Sequence, residues 1–229
     1  MGPDPRREWS ARELAAVIDH TLLAPGATPA DIERLCDEAR ERGFANVCVN
    51  GVNARRCAEW LRGSRVGVCA VVGFPLGASH PLVKVREARQ ALEDGARELD
   101  MVLQLGALRA GEHASVALDI EGVVAEARPA RVLVKVILET GLLTRAEIVI
   151  ACQLAEAAGA DFVKTSTGFG PRGATRADVE LLRANVSARV GVKASGGVRT
   201  ASFARELLAA GATRLGTSAS LELLAEFEP

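Results

Sequence analysis

Short β-branched runs alternate with amphipathic stretches along this chain, and the alternation recurs eight times. The runs are "VIDHT" (17–21), "ANVCVN" (45–50), "RVGVCAVVG" (65–73), "ELDMVLQL" (98–105), "VLVKVIL" (132–138), "ADFVKTS" (160–166), "GVKASG" (191–196) and "TRLGTS" (213–218). Helical periodicity follows each of them, as over 27–43, 80–95, 144–159 and 174–186. Thr28-Pro29 and Thr144 read as helix starts, and Gly43, Gly95, Gly159 and Gly211 as helix ends just before the next strand. The unit helix–Gly–Ala–x–strand repeats at Gly95-Ala96, Gly159-Ala160 and Gly211-Ala212. Such alternation implies a parallel α/β sheet covered by helices. An open, doubly wound sheet competes, but the first turn, "LLAPGATPAD", carries no dinucleotide fingerprint. Eight units in 229 residues fit a closed (β/α)8 barrel of the TIM type, near the small end of its size range. No linker or composition shift interrupts the pattern, so residues 1–229 are expected to form a single domain. In such a barrel the active site lies where the strands end and the following loops begin.

Composition narrows the classes of function. Apolar residues make up 48% of the chain, enough for a substantial core. A net charge of −1 without long blocks of one sign argues against nucleic acid or an anionic membrane as partner. No apolar run reaches the roughly 18 residues of a membrane span. The segment "MGPDPRREWSARE" lacks the apolar stretch of a secretory signal. Five cysteines without a CxxC pair fit free thiols in a reducing cytoplasm. His20, His80 and His113 are far apart and form no recognisable metal cluster, so neither a metal nor another cofactor is expected.

Lysine usage is the sharpest local signal. Of 28 basic residues only four are lysines, Lys84, Lys135, Lys164 and Lys193. The last three sit inside apolar strands at equal intervals, which places them on neighbouring staves of a barrel. Burial and mutual repulsion both disfavour an ammonium ion. A free lysine has about one neutral amine in 2,500 at pH 7, whereas a value lowered to ~7 makes half of them neutral. That form suits Schiff-base chemistry with a carbonyl, and arginine cannot replace it because it does not deprotonate. The plainer explanation is an ion pair with a core carboxylate, or a fixed charge for a phosphate. Two lysines on adjacent strands, each before a Gly-rich turn, favour the amine chemistry. Lys84 opens a helix, where a solvated or ion-pairing role is expected.

Acids also interrupt the strands. Asp100, between Leu99 and Met101, could shuttle protons through a water beside a buried amine. For Asp19, in "VIDHT", a relay and a structural ion pair stand level. Glu139, at the end of "VILE", is a further candidate partner for Lys135. The turns "TSTGFG" (165–170), "ASGGVR" (194–199) and "GTSAS" (216–220) combine glycines with hydroxyls, as phosphate-binding turns do. Thr165, Gly168, Gly196, Gly197 and Ser218 are therefore candidate substrate and phosphate residues, with tight βα turns as the simpler alternative. Cys48 and Cys69 read as small core residues, and His20 as a hydrogen-bonded structural one. Pro75, in "VVGFPLGA", fixes a strand-end loop.

Taken together, "IDHTLL", "VCVN", "VVGFPLGA", "ELDMVLQLGALRAG", "VKVILETGLLT", "ADFVKTSTGFG", "VGVKASGGVRT" and "RLGTS" resemble, in order, the successive motifs of the deoxyribose-phosphate aldolases. The resemblance runs from about Ile18 to Ser218. It implies a (β/α)8 barrel and a metal-free class I aldolase that reversibly cleaves 2-deoxy-D-ribose 5-phosphate into acetaldehyde and D-glyceraldehyde 3-phosphate. It also implies the roles. Lys164 matches the Schiff-base lysine and Lys193 the second lysine, which favours the unprotonated nucleophile. Asp100 matches the acid that works through a water, and Asp19 an acid of the surrounding relay. The spacing of the lysines does not itself select the nucleophile.

The chain departs from the family pattern at several points. Gln104-Leu105-Gly106 stands where members often read Asn-Ile-Gly, and Gly51 where proline is frequent. Ser218-Ala219 replaces a pair of serines, removing one phosphate-site hydroxyl. The chain has no tyrosine and ends at Pro229, where some members carry a C-terminal tyrosine that assists proton transfer. Water would then take that role, or turnover would be lower. The expected partner is a small phosphosugar, with a homodimer as the expected assembly. A keto-sugar aldolase, an imine-free phosphosugar isomerase and a non-catalytic phosphosugar-binding barrel are the competing functions.

Overall fold

The computed structural model describes residues 9–227; the polar segment 1–8 and the terminal Glu228-Pro229 lie outside the described residues. Eight strands close a parallel barrel in sequence order: β1 (Ile18–Leu22), β2 (Asn46–Val49), β3 (Gly67–Val72), β4 (Glu98–Val102), β5 (Leu133–Ile137), β6 (Phe162–Lys164), β7 (Gly191–Ser195) and β8 (Arg214–Thr217). β8 returns to β1 through the pairs Ile18–Leu215, Asp19–Gly216 and His20–Thr217. The expected (β/α)8 fold is the one observed.

Helices return the chain between strands. α1 (Ala11–Ala15) precedes β1, and α2 (Pro29–Arg42), α3 (Ala54–Trp60) and α4 (Pro81–Glu93) follow the first three strands. α5 (Leu105–Arg109) and α6 (His113–Ala127) follow β4. α7 (Arg145–Ala157), α8 (Arg176–Ala184), α9 (Ala201–Ala209) and α10 (Ser220–Ala225) complete the ring. Thr28 and Thr144 form reciprocal capping boxes with Asp31 and Glu147, satisfying backbone donors that the first turn leaves free. Gly43, Gly95, Gly159 and Gly211 all take positive φ, as helix-ending residues do. Among the described residues no helix is long and apolar enough to cross a membrane.

The strands are shorter than their apolar runs. "ELDMVLQL" contributes only Glu98–Val102, because Gln104 caps α5 and Leu105 begins it. "ADFVKTS" contributes only Phe162–Lys164. Thr165 lies just past that strand, its N–H still donating to the Lys193 carbonyl (3.0 Å), while its hydroxyl donates to the Ser195 carbonyl (3.2 Å) and accepts from the Ser195 N–H (3.1 Å).

Side chains alternate across each strand with a period of two, and the two faces differ in kind. Val47, Leu99, Val136 and Val163 point outward and join helix residues such as Ile32, Ile120 and Leu182 in the main apolar core. The intervening positions face the barrel axis and carry Asp19, Cys48, Cys69, Asp100, Lys135, Lys164 and Lys193. A lysine can therefore interrupt an apolar run without entering the apolar core.

Candidate active site

The axis of the barrel holds one connected ionic cluster. Lys164 Nζ donates to Asp100 Oδ2 at 2.6 Å, and Lys193 Nζ donates to the same oxygen at 2.7 Å. Lys193 also donates to Asp19 Oδ2. Lys135 Nζ reaches Asp100 Oδ1 at 2.8 Å and Glu98 Oε2 at 2.6 Å, with Asp19 Oδ2 at 3.7 Å. Arg214 closes the ring by donating to Asp19 (2.7 Å) and Glu98 (3.2 and 3.3 Å), and Asn46 Nδ2 donates to Asp19 Oδ1 at 2.7 Å. Strand register accounts for the meeting: Lys164 lies level with Lys193, and Asp100 with Lys135.

Clustering and burial alone would strip charge from these lysines, which is what the sequence suggests. The interleaved carboxylates reverse the direction at two of them. Burial opposes the ammonium of Lys135 and of Lys193, but Asp100 and Asp19 outweigh it and raise both above the usual lysine value. Burial likewise opposes the Asp100 carboxylate, yet Lys135, Lys164 and Lys193 together hold it well below the ordinary carboxyl range. Asp19 is held low in the same way, against burial, by Lys193, Lys135 and Arg214. Lys164 has one carboxylate partner, Lys193 two and Lys135 three.

Above the cluster a cavity of about 460 Å³ opens at the C-terminal ends of the strands. Lys164 is the one member of the cluster in its wall. Gly168, Gly196, Gly197 and Ser218 line the same cavity, so the structure brings these four expected substrate residues together beside Lys164. Gly196 and Gly197 both take positive φ (87° and 77°), a conformation that turns successive N–H groups to one side. Thr165, expected beside the substrate, is instead fully buried against the Ser195 backbone and does not line the cavity.

Other expectations are corrected by geometry. Glu139 does not pair with Lys135; it accepts from the N–H (3.2 Å) and hydroxyl of Thr167, because its left-handed backbone (φ 54°) turns it towards the β6 loop. Of the two roles expected for Lys84, ion pairing is the one observed and solvation is not. Lys84 is fully buried, donating to Asp119 Oδ2 (2.6 Å) and the Val102 carbonyl (2.8 Å). His20 is structural as expected, bonded to Ser220 (2.9 Å) and Glu38 (2.8 Å). Cys48 and Cys69 are buried register partners on β2 and β3, but they face the axis: Cys69 donates to Asp100 Oδ1 at 3.1 Å and accepts from Lys135 at 3.3 Å. Their sulfurs and an Asp100 oxygen lie within 4.8 Å of one another, donors that a thiophilic ion could use. Three lysine nitrogens already occupy Asp100, those of Lys135 and Lys193 held as ammonium ions, and such surroundings disfavour a dication.

Sequence reasoning missed Glu98 and Arg214 as cluster members, and Arg199 as a cation in the cavity wall. The missed signal was again the period of two: Glu98 shares a strand face with Asp100, and Arg214 shares one with Gly216, the register partner of Asp19.

Comparison with known proteins accords with this geometry. Residues 14–224 match the model of the DeoC/LacD family aldolase. The chain is 51% identical over 213 residues to "Deoxyribose-phosphate aldolase 1" of Bacillus licheniformis, covering 93% of this chain and 95% of that relative. It is 50% identical over 218 residues to a deoxyribose-phosphate aldolase of Aciduliprofundum boonei, covering 95% and 98%. The tetrameric deoxyribose phosphate aldolase from Aeropyrum pernix superposes with a TM-score of 0.89 at 36% identity, covering 95% of this chain and 92% of that one. The closed barrel, its axial lysines and these relatives agree: the chain belongs to the DeoC/LacD family of aldolases.

Proposed function

We propose that this protein is a class I deoxyribose-phosphate aldolase, which reversibly cleaves 2-deoxy-D-ribose 5-phosphate to acetaldehyde and D-glyceraldehyde 3-phosphate in deoxyribose phosphate catabolism. The observation that carries the reading is Lys164: an amine in the cavity wall, 2.6 Å from Asp100 and backed by Lys193 on the same oxygen. With Lys164 as a free amine, Lys135, Lys193 and Arg214 balance Asp19, Glu98 and Asp100, so the buried cluster is neutral when the nucleophile is ready.

Neutral Lys164 attacks C1 of the open-chain sugar, and loss of water gives an iminium that serves as an electron sink. A water in contact with Asp100 takes the C3 hydroxyl proton. The C2–C3 bond breaks, its electron pair moving into the enamine, and glyceraldehyde 3-phosphate leaves. The returning proton goes to C2, and hydrolysis frees acetaldehyde and Lys164. Asp100 bridges Lys164 and Lys193, and Asp19 extends the contact to Arg214, which supports a proton relay along the axis. Gly168, Gly196, Gly197 and Ser218 are the proposed phosphate seat, with Arg199 as its cation. Residues 1–229 act as one aldolase domain in the cytoplasm, where five free thiols stay reduced. We take a homodimer as the assembly, against the tetramer of the Aeropyrum pernix relative; light scattering decides between them.

Borohydride trapping with 2-deoxyribose 5-phosphate, followed by peptide mass mapping, tests the chemistry. The expected product is a reduced adduct on the peptide containing Lys164. A folded Lys164→Leu variant should give no adduct and no turnover. Residual aldolase activity in that variant, or an adduct confined to Lys193 or Lys135, would overturn the assignment.

A further inference from the structure

Glu139 stands two residues beyond β5, yet it belongs neither to the ionic cluster nor to the lining of the cavity. It is 3% exposed. Its backbone is in the left-handed region, at φ 54° and ψ 60°, where a side chain other than glycine is strained. The flanking chain is tied to β6 and its extension: Leu138 N–H donates to the Lys164 carbonyl and Thr140 N–H to the Thr165 carbonyl, each at 2.9 Å. Held between these ties, the left-handed residue turns its carboxylate towards the loop that follows β6.

Two hydrogen bonds fill that direction. Glu139 Oε2 accepts the Thr167 N–H at 3.2 Å and the Thr167 hydroxyl. With its proton donated to Oε2, the Thr167 hydroxyl oxygen accepts the Phe169 N–H at 3.0 Å. On the far side a Cβ at Gly170 would lie 2.7 Å from Glu139 Oε1, so the loop passes close over this carboxylate oxygen, which has no hydrogen-bond partner of its own among the described residues. One buried side chain thus sets Thr167 and, through its hydroxyl, Phe169. Thr167, Gly168 and Phe169 form a wall of the cavity beside Lys164, and the Phe169 ring meets Phe74 edge-on at 5.4 Å, joining the loops after β6 and β3.

We infer that Glu139 is a positioning residue: through Thr167 its carboxylate fixes the Thr167–Gly168–Phe169 wall at the place substrate binding requires. The inference rests on the aldolase reading above. Glu139 touches no reacting atom, so its loss should weaken binding in ground and transition states alike and leave the imine chemistry at Lys164 intact.

Glycine adopts positive φ without strain, so Glu139→Gly removes the carboxylate while relieving the backbone. The expected result is a rise in KM for 2-deoxyribose 5-phosphate of about 10-fold or more, with kcat within about 3-fold of the parent. Glu139→Gln keeps an acceptor oxygen for Thr167 and should restore KM to within about 3-fold. Thr167→Val removes the hydroxyl half of the bridge and the seat of the Phe169 N–H, leaving only the Thr167 N–H bond, and should reproduce the KM rise, which keeps the test decisive if Glu139→Gly does not fold. An unchanged KM in folded Glu139→Gly or Thr167→Val, or equal losses in the Gly and Gln variants, would overturn the inference. Borohydride trapping separates the two levels. If the parent protein yields no adduct, the aldolase reading fails. If the parent is trapped on Lys164 and the variants bind substrate as it does, only the positioning role fails.

Discussion

Asp100 carries the charge order of the site. One of its oxygens bonds Lys164 and Lys193 and the other Lys135, and Cys69 donates to it as well. Asp100→Asn keeps the shape and removes the anion, leaving Lys135, Lys193 and Arg214 against Asp19 and Glu98 beside the Lys164 amine. The expected loss in kcat is about 10²- to 10⁴-fold, the range for a positioned acid–base group, with the borohydride adduct on Lys164 still formed. Equal losses of trapping and turnover would instead reduce Asp100 to holding Lys164 in place. Residues of this kind are legible in a sequence because an ionisable group in an apolar run is costly without a partner. Lys164, Lys193, Asp100 and Asp19 all stand out on that ground. Glu98 and Arg214 do not, since they open their strands, where charge is ordinary. Glu139 was visible at a strand end, but its partner was not: a left-handed backbone at a glutamate is set by tertiary contacts and leaves no mark in composition or spacing.

Element by element, the parts governed by local physics are the readable ones. Capping threonines and closing glycines act within a turn of their own helix, and both kinds of signal held. Strand ends overshoot because an apolar run does not say where pairing stops, as at "ADFVKTS". How loops dock on one another is also hidden. Ala174 N–H donates to the carbonyls of Ser195 and Gly196, each at 3.1 Å, pressing the β6 loop against the glycine pair after β7. A Cβ at Gly173 would lie 2.1 Å from the Gly196 carbonyl oxygen and 2.4 Å from its carbon, both backbone atoms that cannot rotate away. Gly173→Ala should therefore displace the Gly196–Gly197 turn. We expect a stability loss of about 1–3 kcal/mol, the usual penalty of overpacking. KM for the phosphorylated sugar should rise while turnover of unphosphorylated 2-deoxyribose is unchanged. Parallel losses on both sugars would show that this turn does not seat the phosphate.

At the scale of the whole molecule, the barrel separates two kinds of cohesion. The apolar shell between strands and helices is insensitive to pH, whereas the axial cluster joins β1, β4, β5, β6, β7 and β8 through ionised groups. Asp19 and Asp100 titrate lower in the folded protein than in the unfolded chain. As pH falls below about 4 the unfolded carboxylates take up protons first, so this stabilisation is present above that value and is lost below it. Lys135 and Lys193 titrate higher in the folded protein. As pH rises past about 10 the unfolded lysines release protons first, so their contribution is present below that value and is lost above it. Urea unfolding measured from pH 3 to 11 should accordingly show a plateau with two falling limbs. Lys135→Met locates the effect in the cluster. Removing one partner from a buried ionic set costs about 3–5 kcal/mol on the plateau. The alkaline limb should also become shallower by about 1.4 kcal/mol per pH unit, the share of a single proton. If the variant lowers the plateau but leaves the alkaline slope unchanged, Lys135 stabilises the barrel by packing, and the alkaline limb belongs to charges outside the axis.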